Sequence, residues 1–483
     1  MMRCRLLALA GLLSLASISN GLELEDCRIS AGPSAQGINA RCGTLVTPED
    51  PMSPDGNTIE LKVAVVPALD LDPMPDPVVP IAGGPGGSSI EMYATQRGAF
   101  EALRRTRDIL LIDQRGTGAS SLMSCEADDE LVQGTYSDEQ TIQLTRECLE
   151  QLPHDPRFFT TSAAVRDLEA VRVALGYPSL NLYGVSYGSR VAQHYARRYP
   201  ETTRSVVIDG VIPSGLALGP DIALESQEAL AGVFARCAEE PACNEAFPDL
   251  PATLDRVLSE LSENPVDITL PSPTSGSPDE LTVSDAELAV AIRLFLYNPN
   301  TIALLPLMIN EAGKGNLAPL SAAFQMVAES LGNSMAVGMH NSVVCTEDVP
   351  FYDDESIDYA ALDESYMGPD QLRALKAICS VWPSGFIDEG FREPLRYTGP
   401  VLLLSGDADP ITPPDYAVAA MGELANARHI ALPDQGHGVV GVGCMPRLVA
   451  DFVETQDAQS LDNECLERAF VMPFFVDFSG PTP

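Results

Sequence analysis

The chain is short of positive charge. Its 483 residues hold 29 lysines and arginines against 68 aspartates and glutamates, a formal net charge of −39. Such a surface repels nucleic acid and anionic membranes, so neither is expected as a partner. It favours, weakly, substrates with a cationic end. Histidine is also scarce, with five scattered residues, and no C-x-x-C occurs. Both absences argue against a metal centre, and no metal or cofactor is expected. Beyond the N-terminus no stretch approaches the ~18 uninterrupted apolar residues of a spanning helix, so no membrane span is expected. There is no internal repeat and no long low-complexity tract.

What is present begins with an export-type leader. Arg3 and Arg5 precede the apolar run Leu6 to Ile18, which is too short to span a bilayer, and Ser17, Ser19 and Gly21 allow cleavage near residues 19–21. Residues 1–21 are therefore expected to be a signal peptide, and the protein to be secreted or periplasmic. Removing Cys4 with the leader leaves ten of the eleven cysteines, an even number that reads as disulfides in an exported chain. Each is expected to pair with its chain neighbour, Cys237–Cys243 most clearly because it closes a tight loop. The sequence leaves the oligomeric state open.

The length exceeds one simple core and predicts a body with a large insertion. Residues 22–60 read as an opening strand and loops. Short apolar strands follow at Ile59–Val66, Val78–Ala82, Asp108–Asp113, Leu180–Val185 and Ser205–Gly210, with helices near Met92–Leu103, Thr161–Leu175 and Arg190–Tyr199. Strands alternating with helices predict an α/β fold with a mostly parallel sheet covered on both faces. From about Pro213 to Arg396 the pattern turns helical, with a Pro/Ser/Gly-rich loop at Leu270–Pro278 and little strand character. Strands resume at Pro400–Gly406 and His429–Leu432. The expected division is 22–212 and 399–483 as two parts of one α/β core, with a helical cap at 213–398 between them.

The run Gly184-Val185-Ser186-Tyr187-Gly188-Ser189 is a G-x-S-x-G between a strand and a helix. In that context it predicts a nucleophile elbow, with Ser186 lifted to the carboxyl end of the sheet. A serine hydroxyl needs a base, and the base needs an orienting carboxylate. On such a fold the chain order is serine, acid, histidine. His437, in the small-residue loop Gln435-Gly436-His437-Gly438, is the expected base, preferred over His429 at the start of a strand. Asp407 and Asp409 both follow the strand Val401–Ser405, and Asp409 is better placed to bend back. An oxyanion needs two fixed N–H donors. Tyr187 supplies one, and the glycine-rich loop Gly83–Ser88 supplies the other, with Gly84 ahead of Gly83 because Pro85 has no N–H. No Lys-Ser/Thr follows Gly87, which argues against a phosphate loop.

Four segments, Gly83-Gly84-Pro85-Gly86-Gly87-Ser88, Asp113-Gln114-Arg115-Gly116-Thr117-Gly118, the Ser186 elbow and Gly406…Asp409-Pro410-Ile411-Thr412-Pro413, together resemble the α/β-hydrolase serine peptidases of the proline iminopeptidase and tripeptidyl aminopeptidase family. The resemblance runs in order from about residue 40 to 470. It implies the α/β-hydrolase fold, a triad at Ser186, Asp409 and His437, and an oxyanion donor at Gly84. Two positions depart from proline iminopeptidases: Ala82 stands where they carry histidine, and Tyr187 where they often carry tryptophan. Those departures, the leader, the cysteines and the segments Val344-Cys345-Thr346-Glu347-Asp348 and Cys379…Trp382-Pro383 look like the secreted tripeptidyl aminopeptidase-like branch. The implied substrate is a short peptide with a free N-terminus. An exopeptidase must hold the substrate ammonium, and Glu347 and Asp348 are the expected carboxylates. Arg115 is expected to brace the oxyanion or elbow loops. An esterase or an amide or lactone hydrolase would share the triad, and a binding protein without catalysis is the alternative of another class.

Overall fold

The computed structural model describes residues 22–481, apart from 33–34, 126–135 and 273–274. The expected leader, with Cys4, lies outside the described residues. The main sheet has nine strands in the order β1-β2-β3-β5-β4-β6-β7-β10-β11. These are β1 (Glu25–Ile29), β2 (Ile38–Pro48), β3 (Thr58–Val66), β4 (Met74–Ile81), β5 (Arg107–Ile112), β6 (Leu180–Val185), β7 (Thr203–Asp209), β10 (Val401–Gly406) and β11 (Ala427–Leu432). β1, β2 and β3 pair antiparallel, as do β3 and β5. Every pairing from β5 onward to β11 is parallel. The fold is that of an α/β hydrolase.

The inner parallel strands are buried on both faces, as a sheet sandwiched by helices must be, and the edge strand β11 is half-buried. Leu110 and Ile112 face one core and Ile109 and Leu111 the other, the two-residue alternation of a strand. Helices Thr161–Leu175 and Tyr187–Arg198 cover the first face through Val165, Leu168, Val171, Val191 and Tyr195. Helices Ser89–Phe100 and Met445–Thr455 cover the second through Tyr93, Phe100, Leu448 and Phe452. The Thr161–Leu175 helix starts on a Thr160 cap and stops at Gly176 in a left-handed conformation (φ 75°), the stop signal read in the sequence.

Two stretches read as loops are strands. β2 runs for eleven residues at the sheet margin, with exposed and half-buried residues mixed along it, so no apolar alternation marked it. A separate two-stranded ribbon, β8 (Val266–Pro271) with β9 (Pro278–Val283), flanks the Pro/Ser/Gly-rich loop; both strands are largely exposed. Otherwise the stretch between β7 and β10 is helical, with Ile222–Glu239, Leu250–Glu263, Asp285–Phe295, Leu305–Gly313 and Val337–Glu347 among its helices. It has its own core around Leu230, Leu254, Ile292, Phe295 and Ile309. Phe474, which follows the last core helix in sequence, crosses over and is fully buried in that cap core. The Arg236 guanidinium lies 4.1 Å from its ring centre, and the Phe475 N–H donates to the Ala303 carbonyl at 3.0 Å.

All ten cysteines of the described residues are paired with chain neighbours: Cys27–Cys42, Cys125–Cys148, Cys237–Cys243, Cys345–Cys379 and Cys444–Cys465. Among the described residues no helix is long and apolar enough to cross a membrane, and no cluster of metal-ligating side chains occurs. Truncating Phe474 to alanine leaves a cavity under the cap. It is expected to lower stability by roughly 3–5 kcal/mol, measured by urea unfolding.

Candidate active site

The site lies at the carboxyl edge of the parallel strands, where β4 is flanked by β5 on one side and β6 on the other. Loops leaving such a switch point open a crevice suited to ligands. The turn after β6 is very tight. Ser186 has φ 56° and ψ −126°, a conformation that L-residues rarely adopt. A side chain at Gly184 would stand 2.1 Å from the Gly188 carbonyl oxygen, and one at Gly188 would stand 2.3 Å from that of Ile81. Only glycine fits either place, so the two glycines let β6 and its helix meet at the serine.

His437 follows β11, and its Nδ1 lies 2.8 Å from Asp409 Oδ2. A carboxylate only accepts, so Nδ1 carries the hydrogen and Nε2 is the nitrogen left for the serine side. Asp409 is buried and accepts from the Ile411 and Thr412 N–H groups, each at 2.9 Å, and from the Thr412 hydroxyl at 2.7 Å. Burial pushes the Asp409 carboxyl up, but the charge and hydrogen bond of His437, with the Thr412 donors, outweigh it and hold it below its ordinary value. Burial pushes His437 down, and the Asp409 charge and hydrogen bond, helped by the Asp209 charge, raise it above the ordinary histidine value. Asp407 instead accepts from the Asp434 N–H at 2.6 Å, and His429 Nε2 lies 2.6 Å from Ser405 Oγ. Neither joins the pair.

Asp209, at the end of β7, had been read only as part of a strand. It is fully buried and accepts from the Val439 and Val440 N–H groups and from the Tyr183 hydroxyl. It thereby fixes the loop that carries His437. From the cap, the Tyr297 carbonyl accepts the His437 N–H at 2.9 Å, and the Tyr297 ring meets the imidazole edge-on at 5.0 Å. Asp113 ties the glycine-rich loop down: it accepts from the Ser88 hydroxyl at 2.6 Å and from the Ile90 and Ala119 N–H groups, each at 3.1 Å. Arg115 does not brace that loop or the elbow. It is buried against Asp167 at 2.6 and 2.8 Å and donates to the Glu49 and Phe158 carbonyls, joining β2's end to the Thr161–Leu175 helix.

A cavity of about 1030 Å³ brings Ser186, Tyr187, Gly84 and His437 to one wall. The cap supplies Tyr297, Arg293, His340 and Asp348 to the lining of the same cavity. Tyr187 follows the serine directly, and Gly84 lines the same cavity. The two acidic residues expected at an ammonium separate. Asp348 lines the cavity and takes Arg190 at 2.8 and 3.0 Å and the Leu218 N–H at 2.8 Å. Glu347 lies behind the wall, fully buried, and accepts from the Thr161 N–H and hydroxyl. Burial is what lifts its carboxyl to about 7, against the pull of Arg190 and Thr161. The Thr161 hydroxyl also lies 2.7 Å from that of Tyr187. The pair therefore forms a chain of contacts from the elbow into the cap. Glu91, which sequence reading passed over, also lines the cavity and has no ion-pair partner among the described residues.

A family described as "alpha/beta hydrolase fold" matches residues 76–243, and one described as "TAP-like protein" matches residues 364–465. The tripeptidyl aminopeptidase of Streptomyces coelicolor is 26% identical over 94% of this chain and 87% of its own length. The chain is an α/β hydrolase, and it is similar over nearly its full length to the tripeptidyl aminopeptidases of Streptomyces. The serine protease Hip1 of Mycobacterium tuberculosis is 30% identical over 54% of each chain. A proline iminopeptidase of Xylella fastidiosa is 31% identical over 29% of this chain and 34% of its own. This α/β hydrolase is an enzyme, and its cleft is the place to test its chemistry.

Replacing Ser186 with alanine is expected to leave the fold intact and cut kcat by at least about 10⁴-fold, while abolishing fluorophosphonate labelling. A base accepts a proton only when neutral, and His437 is neutral only above its raised pKa. The acid limb of kcat/KM should therefore have its midpoint above 6.5, the ordinary histidine value, with activity lost as pH falls through it. Asp409→Asn removes the charge that raises it, so the midpoint should move to lower pH as kcat drops about 10⁴-fold.

Proposed function

We propose that this protein is an exported serine aminopeptidase that removes short peptides from a free N-terminus through an acyl-enzyme on Ser186. The observation that carries the reading is that the elbow serine and His437, itself paired with Asp409, line one cavity together with residues of the cap. In this scheme Ser186 Oγ attacks the scissile carbonyl carbon as His437 Nε2 takes its proton. The Gly84 and Tyr187 N–H groups receive the oxyanion. His437 then gives the proton to the leaving amine, and water, activated by the same imidazole, releases the acyl group. Asp409 keeps the imidazole in the tautomer that presents Nε2.

The peptidase reading is supported by the printed names of the relatives, an aminopeptidase, a protease and an iminopeptidase. Asp348, from the cap, offers a carboxylate at the cavity wall for the ammonium. Export is supported by five disulfides, which persist in oxidising compartments, and by the leader-like residues 1–21.

Tripeptidyl arylamides with a free amine should be cleaved far faster than their N-acetyl forms. In Asp348→Asn that preference should shrink by about tenfold or more, the equivalent of one lost charge-assisted contact. Equal rates for the free and acetylated substrates, or turnover of p-nitrophenyl esters with no arylamide cleavage, would overturn the aminopeptidase reading in favour of an esterase.

A further inference from the structure

Two arginines reach the cavity wall, and only one is matched by the protein. Arg190 has Asp348 and Glu347. Arg293, on the cap helix Asp285–Phe295, has no carboxylate partner among the described residues. Its one side-chain contact is long, Nη1 to Gln371 Oε1 at 3.5 Å, and its buried Nε has no hydrogen-bond partner. The residue is half-buried, and an anion would give its buried Nε–H the acceptor it lacks. A guanidinium fork is suited to a planar carboxylate.

The position of Arg293 says which part of a substrate it meets. It stands four residues before Tyr297, whose carbonyl and ring hold His437. Its charge is felt at His437, where it opposes the pull of Asp409. His437 hands its proton to the departing group, so its neighbourhood is the leaving-group side of the cavity. Asp348 lines the same cavity with its arginine already in place.

We infer that Arg293 is a specificity-determining residue that binds a carboxylate on the leaving group. The favoured substrates are then short peptides in which a free C-terminal carboxylate, or an acidic side chain, follows closely after the scissile bond. The inference rests on the peptidase reading for its substrate class, but the carboxylate site itself can be probed without peptide cleavage.

The first arm compares kcat/KM for three tetrapeptides with a free N-terminus: one ending in an alanine acid, its C-terminal amide, and an amide ending in aspartate. The wild-type enzyme should favour the acid over the plain amide by about tenfold or more. In Arg293→Gln that ratio should fall to near one, and Arg293→Lys should restore part of it. If the aspartyl amide matches the acid, a side-chain carboxylate serves; if it matches the plain amide, the site reads the chain terminus. The second arm measures protection of Ser186 from a fluorophosphonate probe by Ala-Ala and by Ala-Ala amide. The dipeptide acid should protect at lower concentration, and Arg293→Gln should erase the difference. Failure of cleavage in the first arm with acid-selective protection in the second would sink the peptidase reading and keep the carboxylate site. Equal protection by acid and amide, or an equal effect of Arg293→Gln on both, would overturn the assignment of Arg293.

Discussion

Everything at the site hangs on how closely β6 and the following helix approach each other. The elbow places Ser186 in a backbone state that a free chain would leave at once. It persists because the two flanking glycines admit carbonyl oxygens where any side chain would collide. Around that point the remaining parts are fixed by buried carboxylates that accept backbone N–H groups. Asp113 secures the glycine-rich loop, Asp209 the histidine loop, and Asp409 its own turn. Three acids doing the same physical work at three strand ends give the cleft its rigidity, and none of them is spent on the surface.

The cap is more than a cover. Its Tyr297 carbonyl completes the hydrogen bonding of the His437 loop, and its Ser226 hydroxyl donates to the Pro410 carbonyl at 2.9 Å, next to Asp409. His340 Nδ1 lies 3.2 Å from the Pro85 carbonyl oxygen in the glycine-rich loop. The cap therefore touches the acid, histidine and oxyanion segments separately. Cap and core position one another, so substrate selection and the geometry of the reacting groups share the same contacts.

The sequence revealed the core because its signals are local. A glycine pair around a serine, an apolar strand followed by acids, and a histidine among small residues each state their role within a few positions. The parallel strands were legible because burial on both faces makes them uniformly apolar. β2 and the β8–β9 ribbon were not, since an exposed strand needs no apolar alternation. Arg115 and Glu347 failed for another reason. Their partners, Asp167 and Thr161, lie 52 and 186 residues away, and no local pattern announces such a meeting. Arg293 was not legible either, because its place in the cavity lining is set by the fold and not by its neighbours in sequence.

The crossing of Phe474 into the cap core changes how the cleft can be reached. An inserted domain joined to its host by two connections can swing on them as on a pair of hinges. Here a third stretch of chain, pinned by Phe474 and Phe475, runs back across the boundary. Moving the cap away from the core would therefore mean drawing the Phe474 ring out of a fully buried place and breaking the Phe475–Ala303 hydrogen bond, besides bending the two connections.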